Sequence, residues 1–185
     1  YPRFSAYLTP VDSPVIAHCK ALREEFPSAP VVFAGPCVGK KYERDFQPEL
    51  LHTALTFEEL RRWMVLAGVE DPNKLPPAAD YKLPGDGAYY PIEGGMLRSV
   101  ERNFRALAPE GELQPMVITG IQAIKSMLET LDPKTLEQPV FVEALACPGG
   151  CVCGPKTRVR CAAGGLLDLL RHARLTHPDD PETFP

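Results

Sequence analysis

Short runs of apolar residues alternate along this chain with longer stretches whose apolar positions recur every three or four residues. The runs are PVVFAG at 30–35, PMVITG at 115–120 and PVFVEALA at 139–146. Being apolar on both faces, they read as strands covered by helices. The periodic stretches read as those helices. Asp12-Ser13-Pro14 places a capping residue and a first-turn proline ahead of IAHCKALREEF. Thr56 with Glu59 makes a capping-box pattern before LRRWMVLAG, and Thr119 with Gln122 repeats it before AIKSMLETL. Further helices are expected over MLRSVERNFRALA and GGLLDLLRHAR. The alternation predicts an α/β fold, a mostly parallel sheet of about four strands flanked by helices.

One lobe is expected over 1–175, with 176–185 as a frayed tail. Residues 69–95 interrupt it with five prolines and four glycines. That is too long and too broken for an ordinary connection, so the segment is either a binding loop or lid, or a plain surface excursion.

Composition narrows the function classes. With 44% apolar residues the chain can build a core without help from disulfides. The formal charge is -4, with basic residues scattered among acidic ones, which argues against nucleic acid or an anionic membrane surface as partner. No apolar run approaches the roughly 20 residues that span a bilayer. The sequence opens on Tyr1 with no apolar signal core behind it, which reads as a processing site or fragment boundary. Six cysteines, clustered and without an export signal, suggest reduced thiols in the cytoplasm.

The clustering carries the chemistry. Cys147, Cys151 and Cys153 follow one apolar run, and Cys37 follows another in GPC. In open parallel sheets ligands gather beyond the carboxyl ends of strands, so both groups are expected on one rim. If the two strands are neighbours, about 5 Å apart, Cys37 reaches the Cys147–Cys151 loop. Gly149 and Gly150 allow that loop to turn tightly and to aim backbone N–H groups at anionic sulfur. Several readings remain open. Cys37, Cys147, Cys151 and Cys153 could make a structural zinc site, although Cys-x3-Cys-x-Cys is awkward spacing for one. Two of the clustered thiols could form a disulfide. The Cys-x-x-Cys of thioredoxin-like redox sites is absent from this cluster. An iron–sulfur site on Cys37, Cys147 and Cys151 suits thiolate ligands best, but is one ligand short of the usual four.

GPCVGKKYE at 35–43 and EALACPGGCVCG at 143–154 resemble the second and third signature motifs of the iron-only, or [FeFe], hydrogenase large-subunit active-site domain. EGGMLRSV at 93–100 resembles the Gly-Gly helix start between them. The resemblance runs from the first helix to about Pro155 and implies one lobe of that domain. It implies a 4Fe-4S cubane with Cys37 and Cys147 as ligands, and Cys151 as the ligand bridging to a diiron subsite, the pair forming the H-cluster. Lys40 would be the catalytic-site lysine that contacts a cyanide of the diiron unit, and Gly149 and Gly150 would shape the cofactor loop. The fourth cysteine would come from an upstream lobe, and ferredoxin-like or PAS modules are expected partners. Hydrogen oxidation or evolution, or hydrogen and redox sensing, is the implied activity.

Three positions depart from the hydrogen-cycling pattern. Gly35 and Leu145 stand where methionines usually pack against the diiron site, and Cys153 stands where many members have Asn. These departures look closer to the sensory branch and predict a roomier pocket with slow turnover. The alternative within the family is a cubane-only assembly or electron-transfer protein. A zinc-binding or disulfide-bonded domain is the alternative outside it.

The remaining candidates read as structural. Cys19 and Cys161 are expected as small buried residues, and Trp63, Met64, Met96 and Met127 as core. His18, His52, His172 and His177 are expected at the surface or in caps. Glu143, a carboxyl group inside an apolar strand, must be paired or protonated.

Overall fold

The computed structural model describes residues 1–69, 71, 74 and 85–157. These fall into two compact units: residues 5–74 with 154–157, and residues 1–4 with 85–153. The expected helix over 164–174, Cys161 and the 176–185 tail lie outside the described residues.

The unit built on residues 5–74 begins with α1, Pro14–Glu25, started by Ser13, whose Oγ accepts the Ile16 N–H at 3.3 Å. Strand β1, Val32–Gly35, leads through Cys37 into α2, Gly39–Phe46. Strand β2, Thr53–Thr56, pairs in parallel with β1 and passes directly into α3, Phe57–Leu66. Ile16, Cys19, Leu51 and Ala54 form the buried core, with Phe33 packed against it. Burial pushes the Cys19 thiol above its ordinary pKa, consistent with an inert core residue. Trp63 is not core: it is 57% exposed, because α3 half-buries Leu60 and Met64, four residues apart, instead.

The expected capping box starts α3. Thr56 Oγ1 accepts the Glu59 N–H at 3.2 Å, and the Glu59 carboxylate accepts the Thr56 N–H at 2.8 Å. Lys41 Nζ adds a contact to the same carboxylate at 2.9 Å. Led by the Lys41 contact, these donors hold the Glu59 carboxyl at a pKa of about 2, below its ordinary 4.5. Because the folded value is the lower one, Glu59 stabilises the fold fully above pH 4.5 and loses that contribution as pH falls toward 2. Glu59→Gln is therefore expected to lower the denaturation midpoint at pH 7, with the gap to the wild type closing as the pH approaches 2. A gap independent of pH would contradict this.

In the other unit, α4, Gly95–Leu107, precedes β3, Gln114–Thr119, then α5, Ile121–Thr130, and β4, Val140–Leu145. β3 and β4 pair in parallel, Gln114 opposite Val140 through Thr119 opposite Leu145. Thr119 does not cap α5: it is the last residue of β3, and Gly120, at φ 89°, turns the chain into the helix without a side-chain cap. Tyr89, Ile92 and Leu97 supply the buried apolar residues of this unit. Arg3 donates to the carbonyls of Leu128, Glu129 and Leu131, closing the C-terminal end of α5.

The fold is thus α/β with parallel strands, as the alternation predicts. The four described strands form two two-stranded sheets, β1-β2 and β3-β4. β1 and β4 are consequently not neighbours, which corrects the expectation that adjacency in one sheet brings Cys37 to the Cys147–Cys151 loop. The short run LHTALT at 51–56, between α2 and α3, has no strong apolar signal, yet it supplies the partner that β1 takes. No described helix is long and apolar enough to cross a membrane.

Candidate metal centre

Cys37 lies in the turn between β1 and α2, half-buried, its Sγ 3.5 Å from where a side chain on Gly39 would begin. Lys40 sits in the first turn of α2 and is not a solvated lysine. Its ammonium pairs with the Glu43 carboxylate, and the Ser13 hydroxyl donates to the same carboxylate at 2.6 Å. Gly35 departs from the expected roomier pocket. Its Cβ position would fall 2.5 Å from Phe33 Cζ, so the Phe33 ring, two residues back on the same strand face, already occupies that space. In the same unit Lys156 N–H donates to Pro36 O at 3.3 Å, bringing the stretch just after the last clustered cysteine to the Cys37 turn.

Cys147 and Cys151 occupy the loop at the carboxyl end of β4. Both are half-buried thiols outside any disulfide, whereas Cys153 is disulfide-bonded. Gly149 and Gly150 hold successive positive φ values of 82° and 88°, which side-chain-bearing residues rarely adopt. The loop N–H groups do not all turn toward sulfur. Gly149 N–H donates to Glu93 Oε2 at 2.9 Å and Gly150 N–H to Cys147 O at 3.0 Å. Val152 N–H donates to Pro91 O at 3.0 Å and Cys153 N–H to Gly150 O at 3.1 Å. The two glycines therefore serve first to let the loop close against segment 91–94.

That segment is itself pinned to β4. Glu143 is 4% exposed, and its carboxylate accepts the Gly94 N–H at 3.1 Å and the Leu97 N–H at 2.6 Å. It is paired, as its setting requires, with the orphan donors at the start of α4. Gly95 has no room for a side chain, since a Cβ there would lie 1.8 Å from Tyr89 O.

The family model described as iron-only hydrogenase large subunit, C-terminal domain, matches residues 1–155. The chain belongs to that family. No curated protein matches it closely enough to count as a relative.

Membership makes this a hydrogenase-like iron–sulfur protein, and the donor chemistry fits such a cofactor: thiols outside disulfides, partly accessible, on tight turns after strands. Among the described residues no group of three or more His, Cys, Asp and Glu side chains is gathered to hold a metal ion. The sequence pattern singles out the thiols, Lys40 and Glu143 but passes over Glu93, Pro91 and Glu43, which hold them. The signal was present in part: Glu93 stands directly before the Gly-Gly helix start, inside the stretch marked as an unusually long loop.

Proposed function

We propose that Cys37, Cys147 and Cys151 are ligands of a 4Fe-4S cubane in a hydrogen-linked redox or sensing protein. A further thiolate comes from an upstream lobe, following the family pattern. The observation that carries this reading is the Cys147–Cys151 loop, two thiols outside disulfides at a strand end on a turn whose positive φ values favour glycine. When bound, a cubane supplies one-electron transfer. The chain's task is to orient the thiolates and limit access to them. Lys40 is the residue placed by motif toward a diiron subsite, and Gly149 and Gly150 shape the loop beside it.

A cubane-only role is the second reading, favoured by the pairing of Lys40 with Glu43, which leaves its charge already partnered. Low hydrogen-evolution rates in protein matured with the diiron cofactor, falling further in Lys40→Ala, support the diiron reading. Indifference to Lys40→Ala, with no diiron uptake, supports the cubane-only one.

Serine variants of the full-length protein, reconstituted anaerobically with iron and sulfide, test the ligand set. Cys151→Ser is expected to lose most of its iron. Cys153→Ser, which removes a residue engaged in a disulfide, is expected to keep it. Equal losses from both changes would point to a three-thiol loop with different metal chemistry.

A further inference from the structure

Glu93 is exposed and takes no part in the core, yet its side chain reaches back to the cysteine loop. Its carboxylate accepts the Gly149 N–H at 2.9 Å, between Cys147 and Cys151. Its backbone also lies close to the loop, since a Cβ on Gly150 would come within 2.8 Å of Glu93 N. Behind it, Gly94 N–H is bound by Glu143 of β4, the strand that launches the loop. The path therefore closes on itself, from β4 through Glu143 and Gly94 to Glu93, and from Glu93 back to Gly149.

We propose that Glu93 is a positioning residue for the cysteine loop, fixing the turn and keeping the Gly149 N–H off the sulfur atoms. This rests on the reading of Cys147 and Cys151 as cluster ligands. Backbone N–H groups that donate to ligating sulfur stabilise the more reduced, more negative cluster, and nearby negative charge does the opposite. A carboxylate that takes one such donor and adds its own charge therefore holds the cluster at lower potential. Because the side chain is exposed, its removal frees the loop without opening a cavity.

The test uses the full-length protein with Glu93→Ala and Glu93→Gln. In the metal-free form, hydrogen–deuterium exchange of the Gly149 amide should speed up about tenfold in Glu93→Ala, the loss of one charge-assisted hydrogen bond. Glu93→Gln, which keeps an acceptor oxygen, should restore most of the protection, and Glu93→Ala should lower the thermal midpoint by no more than a few degrees. After reconstitution, a redox titration followed by electron paramagnetic resonance should place both variants at higher midpoint potential than the wild type. Unchanged Gly149 exchange in Glu93→Ala overturns the positioning role, and equal potentials in all three proteins overturn the effect on the cluster. A protein that binds no iron overturns the ligand reading and with it the potential effect, while the exchange measurement still decides whether Glu93 holds the loop.

Discussion

Gly150→Ala is expected to be the most damaging single substitution in the cysteine loop, costing about 3 kcal/mol or more. Two effects combine. At φ 88° an alanine carries the penalty of a left-handed backbone, about 1–2 kcal/mol. Its Cβ would also lie 2.5 Å from Pro91 O, 2.8 Å from Glu93 N and 2.9 Å from Ile92 C. All three are backbone atoms, so no rotamer change relieves the contact. The loop must therefore separate from segment 91–94, breaking the Val152 to Pro91 and Gly149 to Glu93 hydrogen bonds together. Urea denaturation and iron content after reconstitution check this, and both are expected to fall. A variant within 1 kcal/mol of the wild type would mean that the loop does not rest on that segment.

Glu143→Ala is the second large effect. The side chain is almost wholly buried and serves two backbone donors, Gly94 N–H and Leu97 N–H, at the start of α4. Truncation leaves both without their acceptor, at about 1–3 kcal/mol for each buried donor. It also removes a group well placed at the positive end of a helix. A loss of about 3 kcal/mol is expected by denaturation, with Glu143→Gln intermediate because its amide retains one acceptor oxygen. If Glu143→Ala is neutral, segment 94–97 takes its donors' partners from elsewhere and β4 does not anchor it.

Much of this arrangement could be read from local sequence. β1, β3 and β4 coincide with the three apolar runs, and α1 and α3 begin at the capping residues that announce them. Local chemistry suffices there, since a cap and a first-turn proline act within a few residues. β2 escaped because four residues, TALT, carry too little periodicity to signal a strand. Thr119 misled because a capping-box pattern describes side chains, whereas here a positive-φ glycine makes the strand-to-helix turn.

Pairing between strands is a non-local property, and nothing in the runs themselves distinguishes one four-stranded sheet from two pairs. The site divides along the same line. Thiols and glycines stand out by type and spacing, while the groups that hold them lie 49 to 56 residues away in sequence, as in the Gly94–Glu143 and Glu93–Gly149 hydrogen bonds. The space at Gly35 is likewise a packing fact. Reading the glycine alone suggests a void, and the neighbouring Phe33 ring fills it.

The claim that Cys37, Cys147 and Cys151 are iron–sulfur ligands is tested most directly by electron paramagnetic resonance of the reconstituted full-length protein after reduction. The expected spectrum is that of a reduced 4Fe-4S cluster, and it disappears when Cys37, Cys147 or Cys151 is replaced by serine. A protein that takes up zinc in place of iron, or a cluster signal indifferent to all three substitutions, would contradict it.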